Sequence, residues 1–318
     1  MTVGRRVEAP VGHDGEPVRV CVVGGAGAVG AATAAALLGG GFRGRLELVD
    51  TAGALLAAQV MDLRLVPSEA ATVAAVPLGA AGAADVVVLA ASVPHRDGAA
   101  RADFLWENAV ILEQVLAALP AHWPGTLVLA TNPVDPLCTL AARSLPAGAT
   151  VLGYTLNDSL RLRRGVALAL GVHRHRVSAW AVGEHGPHTV PLFDRVRLDG
   201  RPVPLDAAQR DSAAGYAREW YGRWQRLGTG RTSSWASGAG IAALVRAVLA
   251  DTRTLLPVSA ALHGEYGLSG LSLGVPALVG AGRAEVVEWE LTRDQLAGLR
   301  TAAGVVAAAV GGSGGPRA

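Results

Sequence analysis

At 318 residues, with 51% hydrophobic and 17% charged side chains, the chain can bury a large core and lacks the composition of a disordered segment. Its 28 basic and 26 acidic residues leave a formal charge of +2, which offers no field for a nucleic acid or a membrane surface. The two cysteines, Cys21 and Cys138, have no metal-ligand spacing and read as buried thiols of a reducing compartment.

Residues 1–17 and 311–318 are rich in glycine, proline and polar residues and read as flexible ends. The first has no apolar core of a signal peptide, and no later stretch reaches membrane-spanning length without glycine or charge. A soluble, cytoplasmic protein is therefore expected. Residues 18–23 read as a strand, 28–38 as a helix of small residues, and 46–49, 86–90 and 127–131 as further strands. Strands of continuous apolar character, separated by helical stretches, predict a parallel sheet covered on both faces. Past residue 150 the pattern changes. Residues 177–182, 258–261, 273–279 and 285–291 are expected as strands, and 207–226, 238–251 and 293–310 as helices. The predicted fold class is α/β: a doubly wound parallel (Rossmann) sheet over residues 18–150, followed by a mixed α+β domain over 151–310.

The first strand runs into Gly24-Gly25-Ala26-Gly27-Ala28-Val29-Gly30, and a helix follows at once. Gly25, Gly27 and Gly30 fit G-x-G-x-x-G: a tight turn, a close backbone approach to a pyrophosphate, and close helix–strand contact. The pyrophosphate would sit on the helix N-terminus, where unpaired N–H groups and the dipole favour anions. In a chain with 41 glycines the motif alone is weak; the strand before it, the helix after it and Asp50, twenty residues beyond Gly30, give it weight. A carboxylate at 50 would accept from the ribose hydroxyls and repel a 2′-phosphate. Thr51 and Ala52 bring no arginine for such a phosphate, so NAD is favoured over NADP.

Several short polar segments remain. Gly183-Glu184-His185-Gly186 sets a histidine between small residues just after a strand, and Asn157-Asp158-Ser159-Leu160-Arg161 sets a carboxylate and an arginine three apart on one helical face. Arg101 follows the polar loop Pro94-His95-Arg96-Asp97-Gly98, and Thr131-Asn132-Pro133-Val134-Asp135 ends a strand at the edge where such sheets bind ligands. No H-E-x-x-H, C-x-x-C or clustered acidic spacing suggests a metal.

In this order and spacing, the segments over residues 18 to about 190 resemble the lactate/malate dehydrogenase family, and Thr232-Ser233-Ser234-Trp235-Ala236 and Gly274-Val275-Pro276 fit it more loosely. The resemblance implies an NAD-dependent oxidoreductase moving a hydride between the nicotinamide and C2 of a small 2-oxo/2-hydroxy acid, in a homodimer or homotetramer. It implies His185 as proton donor and acceptor, with Asp158 holding its ring. Arg161 would grip the C1 carboxylate, and Arg101 would polarise the C2 carbonyl from a closing loop. Asn132 would bond near the carbonyl and the nicotinamide ribose, and Ser233 or Thr232 would line the substrate side. Gly25, Gly27, Ala28, Val29, Gly30, Asp50, Asn108, Thr131 and Asn132 make up the implied cofactor contacts.

The family reads the substrate's distal group six residues before the loop arginine, with arginine in malate enzymes and glutamine in lactate enzymes. Here that position is His95, followed by Arg96. A buried distal anion needs a cation, so the pair leans towards oxaloacetate/malate or another acid with an anionic distal group; lactate-type or bulkier 2-oxo acids stay open. Asn157 stands where the family usually has leucine, and Pro187 where an aspartate is common. Two other readings compete with this one. An NAD- and metal-dependent glycosidase shares a similar nucleotide half but needs a Cys/His metal pair in its second half, and no cysteine lies beyond 138. A non-catalytic dinucleotide-binding relative fits the altered residue at 95 but not the presence of every chemical group.

Overall fold

The computed structural model describes residues 12, 15–68, 70–94, 104–230, 232–250 and 252–312. Six parallel strands come first: β1 (Arg19–Val23), β2 (Gly44–Val49), β3 (Ala71–Ala75), β4 (Val86–Leu89), β5 (Thr126–Leu129) and β6 (Thr150–Tyr154). They lie in the order β3-β2-β1-β4-β5-β6. Connecting them are α1 (Ala28–Gly39), α2 (Gly53–Leu63), a short 3₁₀ stretch (Leu78–Ala83), α3 (Leu105–Ala117) and α4 (Val134–Ser144). Chain order reverses between β1 and β4, so the crevice at their carboxyl ends is where a ligand belongs.

Both faces of this sheet are covered, which is why its strands carry no polar alternation. In β1, Val20 and Val22 join one core layer with Leu37 and Leu38 of α1. Cys21 and Val23 point the other way, into a layer with Leu112 of α3 and Leu137 of α4.

Beyond β6 come α5 (Leu156–Ala169), β7 (Val177–Gly183), β8 (Thr189–Leu198), β9 (Arg201–Pro202), α6 (Ala207–Arg226), α7 (Trp235–Leu249), β10 (Thr254–His263), β11 (Ser269–Gly280), β12 (Arg283–Val286) and α8 (Arg293–Gly311). β10 pairs antiparallel with β6, matching Val258 to Tyr154, and β11, β7, β8 and β9 follow outward, with β12 on β11. Among the described residues, all twelve strands thus form one sheet.

The expected alternation of parallel strands and helices is present, and the helix expected at 207–226 has those bounds. It starts with a capping box: Gln209 N donates to Asp206 Oδ1 at 2.8 Å and the Gln209 side chain returns to Asp206 N at 3.0 Å. Two expectations need correction. The helix expected from 238 begins at Trp235, where Ser237 Oγ bonds back to the Ser233 carbonyl at 3.1 Å. The strand expected over 285–291 is Arg283–Val286 instead. Past it the chain leaves the ladder: Glu288 accepts from Tyr266 N at 2.6 Å, and Trp289 packs edge-on against Trp180 at 5.0 Å. No helix among the described residues is long and apolar enough to cross a membrane.

α5 and α6 approach so closely that a Cβ on Gly165 would lie 2.6 Å from the Ala213 carbonyl oxygen. Alanine in place of glycine ordinarily strengthens a helix by about 1 kcal/mol. Here Gly165→Ala should instead cost about 1–3 kcal/mol by overpacking, seen as a lower melting temperature. An unchanged or higher melting temperature would mean that the two helices are not seated backbone to backbone.

Candidate active site

The turn after β1 is built from its own backbone. Gly24 and Gly25 both donate to the Val49 carbonyl, at 2.8 and 3.0 Å, which ties the turn to the end of β2. The tight bend was expected at Gly25, but the left-handed residue is Gly24, with φ +89°, where a Cβ would meet Ala91 N at 2.4 Å. Gly25 is needed for space instead, since its Cβ would lie 2.8 Å from Leu48 Cβ. A Cβ on Gly30 would fall 2.1 Å from the Gly24 carbonyl oxygen, so the third glycine sets the approach of helix to strand. Gly27 caps α1 with no side-chain bond and no acidic residue in the first turn, and Gly27 and Ala28 are exposed. That helix end presents N–H groups to an anion. Asp50 accepts from Ala26 N and Ala52 N, each at 3.0 Å, which fixes its carboxylate beside the turn.

α5 follows β6 directly and carries Asp158 and Arg161 one turn apart. β7 ends at Gly183, whose φ is +95° and whose Cβ would meet the His188 carbonyl at 2.8 Å; this bend brings His185 back over α5. Asp158 Oδ2 lies 2.5 Å from His185 Nδ1, and His185 is 7% exposed. Because that carboxylate engages Nδ1, the ring's Nε2 is the nitrogen that can exchange a proton with a ligand. On the main-chain side, His185 N donates to Asp135 Oδ2 at 2.6 Å. Asp135 is buried, and burial pushes its pKa up to about 7 against the neighbouring Ser259 hydroxyl and the His185 N–H. Ser159 Oγ accepts from Ala181 N at 3.0 Å and pins α5 to β7 beside the pair.

The cleft is lined by Val29, Asn132, Arg161, His185, Thr232 and Ser233, and also by Tyr154, Asn157, Tyr221 and Ser237. Arg161 stands 3.6 Å from Asp158 Oδ1 and packs over the Trp220 ring at 4.6 Å. Asn132 Oδ1 is buried and has no hydrogen-bond partner among the described residues. That oxygen and the glycine cradle would suit a nicotinamide dinucleotide.

Asn108 and Thr131 support the cleft with their side chains rather than line it. Asn108 accepts from Val93 N at 2.9 Å and donates to the Asn132 carbonyl at 2.7 Å, and Thr131 Oγ1 bonds the Ala91 carbonyl at 2.7 Å. His95, Arg96 and Arg101 lie outside the described residues.

The sequence reading missed the polar floor. Tyr154 donates to Asn157 Oδ1 at 3.0 Å, Asn157 Nδ2 to Ser237 Oγ at 2.9 Å, and Ser237 Oγ to the Ser233 carbonyl at 3.1 Å. Burial, with Asp158 nearby, raises the Tyr154 pKa and keeps it a neutral donor. Asn157 therefore joins α5 to α7 by a hydrogen-bonded network that leucine could not make. Two signals were available: Tyr154 ends a strand just as Leu129 does, and Ser237 lies one helical turn beyond Ser233.

Residues 18–148 match the model of the lactate/malate dehydrogenase NAD binding domain, and residues 155–310 that of the lactate/malate dehydrogenase alpha/beta C-terminal domain. A malate dehydrogenase of Thermomicrobium roseum is 33% identical over 294 residues, covering 89% of this chain and 94% of the relative. An L-lactate dehydrogenase of Nitratidesulfovibrio vulgaris is 31% identical over 306 residues, covering 91% and 97%. The crystal structure of Cryptosporidium parvum lactate dehydrogenase, complexed with lactic acid and nicotinamide adenine dinucleotide, matches with a TM-score of 0.84 at 25% identity, covering 92% of this chain and 97% of that one. The chain belongs to the lactate/malate dehydrogenase family and is an NAD-dependent 2-hydroxy acid dehydrogenase.

Proposed function

We propose that the enzyme interconverts a small 2-oxo acid bearing an anionic distal group with its 2-hydroxy acid, oxaloacetate and malate being the best-fitting pair. The observation that carries the reading is the meeting of His185, held by Asp158, with Arg161 in a cleft that Asn132 and Val29 of α1 also line. Residues 18–150 serve the dinucleotide and 151–310 the substrate, with Gly25, Gly27, Ala28, Val29, Gly30, Asp50 and Asn132 holding the cofactor and Asn108 and Thr131 bracing the strand ends behind them. Bound NADH supplies the hydride to C2.

Arg161 takes the C1 carboxylate in its fork and fixes which face of C2 is presented. As C2 is reduced, charge develops on its oxygen, and His185 Nε2 delivers a proton there while Asp158 stabilises the ring. Arg101 adds positive charge beside the same oxygen, and Ser233 bounds the substrate side. His95 and Arg96 supply the cation for a distal anion. A second reading has one observation in its favour: apart from His185 and Arg161, the described polar groups lining the cleft are neutral hydroxyls and amides, which suit an uncharged distal group. The buried cysteines support a reducing, cytoplasmic setting, and family kinship supports a homo-oligomer.

The substrate is tested by following the nicotinamide absorbance with NADH and oxaloacetate, pyruvate or longer 2-oxo acids. His95→Arg should raise kcat/KM for oxaloacetate, whereas an unchanged profile in both His95→Arg and His95→Gln would remove that side chain from substrate reading. His185→Asn should lower kcat by about 10²–10⁴-fold, the usual range for a lost general acid, with NADH still bound. A loss of less than about tenfold would assign the proton transfer elsewhere.

Asp135 gives a pH dependence. Its folded pKa of about 7 lies above the ordinary 3.8, so the folded chain binds this proton more tightly than the unfolded one. Stability from this group is complete below about pH 4 and is lost as pH rises through 7. In Asp135→Asn that loss disappears, so the variant's melting temperature should gain on the wild type from pH 4 to pH 8. A constant difference would show that the carboxyl does not titrate in this window.

A further inference from the structure

The cleft's arginine is held from a direction the catalytic groups do not explain. Arg161 Cζ sits over the Trp220 ring at 4.6 Å, and the Trp224 ring stacks behind Trp220 at 5.7 Å with an interplanar angle of 13°. Asp158 Oδ1 lies 3.6 Å away, longer than a hydrogen bond, and attracts the cation from one turn earlier on the same helix. A ring with the guanidinium carbon over it adds a contact that needs none of the cation's N–H donors. The Arg161 side chain is only 14% exposed, so the cation–ring attraction acts where water screens it little.

Core packing does not account for Trp220. The single fully buried residue of α6 is Ala213, which seats the helix on Gly165 of α5 two turns earlier. Trp220 itself is half-buried, and its neighbour Tyr221 lines the cleft. The last turns of α6 therefore extend past the helix contact and deliver an aromatic face to the arginine.

We propose that Trp220 is a positioning residue for substrate binding: its indole ring holds the Arg161 guanidinium in the cleft, so that the fork meets the C1 carboxylate of the 2-oxo acid. The proposal rests on the reading of Arg161 as the carboxylate clamp. Trp220 touches neither substrate nor nicotinamide in this role, so its removal weakens the carboxylate contact and leaves the proton transfer from His185 intact.

Steady-state kinetics with NADH and either oxaloacetate or pyruvate, whichever the enzyme turns over faster, test it. Trp220→Leu should raise KM for the 2-oxo acid about fivefold to tenfold, the size of one partly desolvated cation–ring contact. It should leave kcat and KM for NADH within about twofold, and Trp220→Phe, which keeps a ring face, should recover most of the loss. Trp220→Met replaces the leucine variant if that folds poorly. An unchanged KM in the aliphatic variants overturns the proposal; so does Trp220→Phe behaving like Trp220→Leu, or an equal weakening for NADH. Arg161→Gln separates the two readings. If it leaves KM unchanged, the carboxylate clamp itself is wrong; if it raises KM while the Trp220 variants do not, only the role of Trp220 falls.

Discussion

One buried histidine, held by one carboxylate at its ring and by another at its backbone, organises this molecule. Asp158 holds the His185 ring at 2.5 Å from α5, and Asp135 holds its backbone N–H at 2.6 Å from α4. For both to reach the same residue, the helix after β5, the helix after β6 and the bend after β7 must converge. Much of the second half serves that convergence. Ser159 ties α5 to β7, the left-handed Gly183 turns the chain back, and β10 carries the sheet on from β6, placing Ser259 beside Asp135. A carboxylate buried as deeply as Asp135 is costly to ionise, and the His185 N–H and the Ser259 hydroxyl reduce that cost. The arrangement trades stability near neutral pH for a fixed histidine.

The dinucleotide side obeys a different constraint, which is space. Gly24, Gly25 and Gly30 each sit where a Cβ would meet backbone or a neighbouring side chain at less than 3 Å. The turn is thereby pressed against β2 and β4 and the N-terminus of α1 is left open. Reversal of strand order between β1 and β4 then places that helix end over the crevice that also contains Asn132. Asp50 stands beside the glycine turn, and Arg161 lies on α5 one turn from Asp158.

Asn157 shows how a departure from family pattern is absorbed. An amide buried next to Asp158 would be a liability if unpaired. Here it is satisfied by Tyr154 and Ser237, and through Ser237 it reaches Ser233. Residues 233–237 are thus tied to the helix that carries Asp158 and Arg161, and the cleft gains polar lining.

The sequence alone determined the local features: the apolar strands, the glycine turn, Asp50 at a strand end, the Asp158/Arg161 spacing, and His185 after a strand. These depend on contacts within a few residues or on a periodicity of two or three to four, which a linear string records directly. It also supplied the family, because the motifs occur together and in order. Only the tertiary structure decided that Gly24 rather than Gly25 makes the bend, that Asp135 clamps the histidine backbone, and that Trp220 lies on Arg161. Those partners are 50 and 59 residues apart in the chain for the last two contacts, and the identity of a residue does not say which distant backbone it will meet. The lost strand at 287–291 has the same cause: its alternating pattern suits a strand, but Tyr266 and Trp180 supply better partners than the ladder does.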